Sequence, residues 1–141
     1  MERILLVTAE PWARNVLALL RQCPGAIEVT HAIDGSQGLY YMCKSIAEGD
    51  PYRLLVLTTP LSRIRAEQVI ASLRAIERGL NRPPYPCLLC TPEEAPEGLL
   101  ATYPQTLHLR IPESPEAASM VSAAALQIIE QLRRFQLEEA V

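Results

Sequence analysis

Apolar positions along the chain fall into two rhythms. Short unbroken runs recur at Arg3–Val7, Arg53–Thr58, Cys87–Thr91 and Leu107–Ile111, with a looser alternation over Ile27–Ile33. Runs of this length bounded by turn residues read as strands buried on both faces. Between them, apolar residues recur at helical spacing. Val16, Leu17, Leu19 and Leu20 mark a helix from about Pro11 to Gln22. Leu39, Tyr40, Met42, Cys43 and Ile46 mark one over 36–48, and Val69, Ile70, Leu73 and Ile76 one over 66–78. A short helix is expected at about 96–103, and a long one from about 115 to 138 behind Ser114-Pro115-Glu116, a sequence suited to open a helix. All 12 prolines fall at joins or in first helical turns.

Strand and helix thus alternate five times. That spacing requires parallel strands joined by right-handed crossovers. The expected fold is a doubly wound α/β domain spanning residues 1–141: a five-stranded parallel sheet of flavodoxin-like order 2-1-3-4-5, flanked by helices. In such sheets ligands bind past the carboxyl ends of the strands. The end of the 53–58 strand, where Thr58, Thr59 and Pro60 follow Leu54–Leu57, is therefore the first place to look for chemistry.

Composition narrows the chemistry. Of 141 residues 49% are hydrophobic and 21% charged, ordinary for a globular chain. A net charge of −3 argues against a nucleic-acid partner. No apolar run approaches the ~18 residues of a membrane span, so no membrane partner is expected. The start Met-Glu-Arg-Ile-Leu-Leu-Val lacks a signal peptide's long apolar region, which makes the cytoplasm the default location. Asp occurs only at Asp34 and Asp50, and Lys only at Lys44. A mechanism that needs an Asp cluster or a second Lys has no residues to use.

Several residues taken together carry a resemblance. Arg3-Ile-Leu-Leu-Val7 is followed by Pro11. Asp34-Gly35 follows the second strand, Tyr52–Thr59 forms the third, Cys87-Leu-Leu-Cys-Thr91 the fourth, and Leu109 and Pro112 belong to the fifth. In order and spacing, over about residues 3–130, they resemble the receiver domain of bacterial response regulators. The resemblance implies phosphoryl transfer to an Asp at the end of the third strand, Mg²⁺ held by acids after the first, and a Lys before the fifth-strand Pro. Here the acceptor position reads Thr58 (Thr59 in the adjacent register). The acidic pair reads Thr8-Ala9 with Glu10 beside it, and the Lys position reads Ile111. Thr91 keeps the family's residue, and the family's aromatic position on the last strand reads His108. Asp34, Asp50 and Lys44 lie elsewhere, so no register restores the site. The expectation is a degenerate receiver with no Asp phosphorylation, no metal, no cofactor and no enzymatic activity.

Other residues are expected to be structural. Cys87 and Cys90 have Cys-x-x-Cys spacing, but residues three apart on a strand face opposite sides. Cys23, Cys43, His31 and His108 are scattered and offer no zinc set. Thr58 and Thr59 are expected to bond locally, Trp12 to cover the pocket's mouth, and Arg63 and Arg65 to be solvated. The last helix carries Val121, Ala125, Ile128, Leu132 and Phe135 in a 4-3-4-3 stripe. Its first part is expected to pack on the sheet. Leu132 and Phe135 are expected to project past it, widened by Ile129, and with His108 to form an interface for a homodimer or a partner protein. The leading functional expectation is a signalling or scaffold module working by protein–protein contact. The alternative is a sensor holding a small ligand among Thr8, Glu10, Thr58, Thr91 and Trp12.

Overall fold

A computed structural model describes residues 2–23, 25, 27–95 and 97–140, with the backbone alone for 136–140. Ten elements alternate along it: β1 (Glu2–Val7), α1 (Ala13–Arg21), β2 (Ile27–Ala32), α2 (Gly35–Ala47), β3 (Leu54–Thr58), α3 (Ala66–Gly79), β4 (Cys87–Thr91), α4 (Leu99–Thr102), β5 (Thr106–Arg110) and α5 (Ala117–Ala140). The sheet has five parallel strands in the order β2-β1-β3-β4-β5, as expected. The part of the expected fourth helix at residue 96 lies outside the described residues.

Alternation along each strand builds two cores. Ile4, Leu6, Leu54, Val56, Leu88 and Cys90 pack beneath α1 and α5. Leu5, Val7, Leu55, Leu57, Cys87 and Leu89 pack beneath α2 and α3. Every residue of β3 and β4 is buried, which is why both read as unbroken apolar runs.

The helix ends are set locally. Asp34 caps α2: its Oδ1 accepts from Gln37 N at 2.8 Å, while Gln37 Oε1 accepts from Ile33 N at 3.0 Å. Gly35 is required where α2 meets the loop after β3, because a Cβ there would lie 2.0 Å from the Ile64 carbonyl oxygen. Two starts differ from expectation. α1 begins at Ala13, since Pro11 and Trp12 form a turn, and α5 begins at Ala117, whose N–H donates to the Ser114 carbonyl at 3.0 Å.

α5 also corrects the expected interface. Val121, Ala125 and Ile128 pack on the sheet as anticipated, but so do Ala118 and Ile129. Ile129 is 1% exposed and belongs to the core. The buried face of α5 is wider than one stripe, as a helix lying flat on a sheet requires.

Candidate functional site

The carboxyl ends of β1, β3, β4 and β5 bring Thr8, Thr58, Thr91 and Ile111 to one edge of the sheet. Thr58 closes β3 and Thr8 follows β1 directly; neither has any exposed surface. Buried hydroxyls need partners, and these two find each other: Thr58 Oγ1 donates to Thr8 Oγ1 at 2.6 Å. Thr8 Oγ1 also accepts from Glu10 N at 3.1 Å. The Thr8 carbonyl accepts from His31 Nε2 at 3.0 Å, which places a proton on that nitrogen.

A second hydroxyl relay sits beside the first. Thr91 Oγ1 donates to the Glu93 carbonyl at 2.5 Å, which commits its single proton. His108 Nε2, 2.7 Å from the same oxygen, is therefore the donor of that bond. His108, expected at an interface, has a half-buried ring turned onto Thr91.

Above the Thr8–Thr58 pair lies an open cavity of ≈ 580 Å³. Glu10 and Trp12 before α1, Thr59 after β3, Glu93 after β4, and Ile111 and Glu113 after β5 line it. Trp12 walls this space, as anticipated. Thr8, Thr58 and Thr91 do not line it, and Ala9 points to solvent outside it. Three carboxylates border the cavity, and no Lys or Arg does among the described residues. Among those residues no group of His, Cys, Asp or Glu is gathered closely enough to hold a metal ion. Sequence reasoning missed Glu93 and Glu113. The signal was present: the same Pro-Glu pair follows the fourth and fifth strands, at Pro92-Glu93 and Pro112-Glu113.

Cys87 and Cys90 sit in the two different cores, on opposite faces of β4. Burial pushes the Cys87 thiol up to about 12, and the Cys90 thiol is raised further, by burial and then by Cys87. Arg63 pairs with the α2 cap Asp34 at 3.5 Å while remaining largely exposed, and Arg65 is exposed as well.

No protein-family model and no curated protein matches the chain. Solved structures do. The chemotaxis response regulator CheY4 of Vibrio cholerae is 19% identical, with 95% of this chain and 98% of that one covered at a TM-score of 0.63. The signal receiver domain of the response regulator NarL from Mycobacterium tuberculosis is 19% identical, covering 89% and 94% at 0.65. The phosphorylated cyanobacterial phytochrome response regulator RcpA is 16% identical, covering 87% and 90% at 0.69. The chain has the receiver fold.

Within this receiver fold the remaining expected interface residues lie at the opposite end of the sheet from the threonines. Leu132 is half-buried against the α1–α5 core, and Phe135 is 60% exposed. The larger exposed apolar residues on the β5 side are Leu100 of α4, Leu107 of β5 and Met120 of α5. The sequence gives little warning of them, because α4 is a single turn and leaves that side thinly covered. Among the described residues no helix is long and apolar enough to cross a membrane.

Proposed function

We propose that this chain is a receiver-fold signalling or scaffold module that acts by protein–protein contact and accepts no phosphoryl group. The observation that supports this reading most is the Thr58–Thr8 hydroxyl pair at 2.6 Å, shut away from solvent where receiver chemistry would need an ionised Asp. A hydroxyl becomes a nucleophile when an adjacent base takes its proton. The Thr58 proton goes to another hydroxyl, and the His31 ring faces the Thr8 carbonyl.

Electrostatics favours the same reading. A transferring phosphoryl group is stabilised by metal ions and cationic side chains. The cavity over this pair offers Glu10, Glu93 and Glu113, with the apolar Ile111 where the resemblance would put a Lys. Carboxylates without a counter-cation repel a phosphoryl group.

The contact surface we favour is the side of β5, where Leu100, Leu107 and Met120 are exposed beside the one-turn α4. A second copy of the chain is the partner proposed. An amide-resolved NMR titration with Mg²⁺ and beryllofluoride tests the unphosphorylated reading. The amides of Thr58, Thr59 and Thr91 are expected to stay in place. Saturable shifts around Thr58 and Thr91 at millimolar ligand or below would refute it.

A second reading, a small-ligand sensor, is favoured by the strand-end cavity, whose volume lies in the range of small-molecule sites. Its walls would be Glu10, Trp12, Glu93 and Glu113 rather than Thr8 and Thr58, so its ligand would be cationic.

A further inference from the structure

The end of the sheet away from the threonines holds a second cavity, of ≈ 520 Å³, between α5 and the proline-rich connection into β4. Its walls are mainly apolar, with Tyr52, Tyr85, Leu132 and Phe135 among them; Arg53 and Arg82 add guanidinium groups and Glu77 a carboxylate. Small-molecule sites have this make-up: a largely apolar lining with a few polar groups that fix orientation.

Two polar atoms in this wall have no protein partner. Arg53 Nη2 and the Tyr85 hydroxyl are buried without a hydrogen bond. Buried polar groups are almost always paired, so Arg53, a lining residue whose side chain is 30% exposed, has a donor to spare for an acceptor in the cavity. The local charge calls for an anion. Glu2 is shared between Arg53 at 3.0 Å and Arg133 at 3.4 Å. Both oxygens of Glu77 are already engaged, one by Arg74 at 2.7 Å and the other by the Tyr85 N–H at 2.8 Å. Arg82 has no carboxylate in ion-pair range among the described residues. With Arg53 and Arg82 set against Glu77, the lining carries a net positive charge in a chain of net charge −3.

We infer that this cavity binds a small aromatic monoanion. Its acidic group lies between Arg53 and Arg82, and its ring lies against Tyr85, Leu132 and Phe135. The Arg53 side chain is 30% exposed, so a rotation that exchanges the Nε contact with Glu2 for the ligand carries Nη2 into the cavity. A planar guanidinium suits both a carboxylate or sulfonate and an aromatic face.

The test uses 8-anilinonaphthalene-1-sulfonate with the full chain, followed by fluorescence and by amide-resolved NMR. Saturable binding is expected, with shifts confined to residues 46, 51–53, 82–86 and 132–135. Arg82→Gln, at an exposed position, is expected to weaken the dye about ten-fold while the thermal transition stays in place. The uncharged N-phenyl-1-naphthylamine is expected to bind about ten-fold more weakly than the sulfonate, the loss of one favourable charge contact. Shifts at the strand-end cavity, equal binding of the two dyes, or an unchanged affinity in Arg82→Gln would overturn the inference. So would exclusion of the dye by self-association that Phe135→Ala abolishes, since the occupant would then be a second copy.

Discussion

At Thr58 the side chain has no exposed surface and one partner, the Thr8 hydroxyl. Placing an Asp there carries a cost that follows directly. Thr58→Asp buries a carboxylate with no cation near it, expected to destabilise the fold by about 3 kcal/mol or more at neutral pH. Burial favours the protonated carboxyl, so its folded-state pKa rises above the unfolded value of about 3.9. Stability is then lost as pH rises above that value, and urea midpoints at pH 4 and pH 7 should show the larger deficit at pH 7. The thiols of β4 obey the same sign. Unfolded thiols ionise near 9, whereas Cys87 keeps its proton to about 12 and Cys90 is raised further. Below pH 9 the stabilisation is fully present. Above it, stability falls by about 1.4 kcal/mol per pH unit for each thiol. Thiol titration at pH 8 should find Cys43 reactive, with Cys87 and Cys90 reacting only after denaturant is added.

At the scale of elements, α3 carries a feature that spacing could not reveal. Arg74 and Glu77 are 2% exposed and pair at 2.7 Å; Arg74 Nη2 also donates to the Gln105 carbonyl at 3.1 Å. Through these groups α3 holds the connections into β4 and β5. Charged residues three apart on a helix ordinarily read as a solvated pair, so nothing in the sequence marks this one as buried. Glu77→Ala leaves the Arg74 charge unpaired in the interior and is expected to cost about 3–5 kcal/mol in chemical denaturation. Replacing both residues with Leu should cost less. Ile129 was misplaced for a related reason. A 4-3-4-3 count finds one line of contact, but a helix resting on a flat sheet buries the flanking columns too. The strands were legible because burial on both faces leaves no polar interruption in β3 or β4. That no Asp or Lys stands at the carboxyl ends of β1, β3 or β5 was legible because two Asp and one Lys can be located one by one. The Thr8–Thr58 bond was not, since it joins side chains 50 residues apart whose approach depends on the β1–β3 register.

For the whole molecule, the two ends of the sheet carry opposite character. Three carboxylates ring the cavity at the carboxyl end, whereas two arginines and one carboxylate line the one at the other end. If the β5 side is a contact between copies, sedimentation velocity should show a concentration-dependent dimer. Leu107→Glu combined with Met120→Glu should return it to a monomer, because two buried carboxylates would face their symmetry mates. A species that stays monomeric at every concentration would exclude self-association.

β5 stands at the margin of the sheet, with one side of its backbone joined to no other strand among the described residues. An unpaired margin is a template on which a stray extended segment can add and propagate into aggregates. Here the strand is five residues long and ends in Arg110, whose side chain is 65% exposed and paired with Glu94 at 3.3 Å. A charged side chain at such a position is one of the features that blunt an exposed strand edge. Exchanging Arg110 for a β-branched apolar residue would leave the native fold in place and turn a guarded margin into a seed.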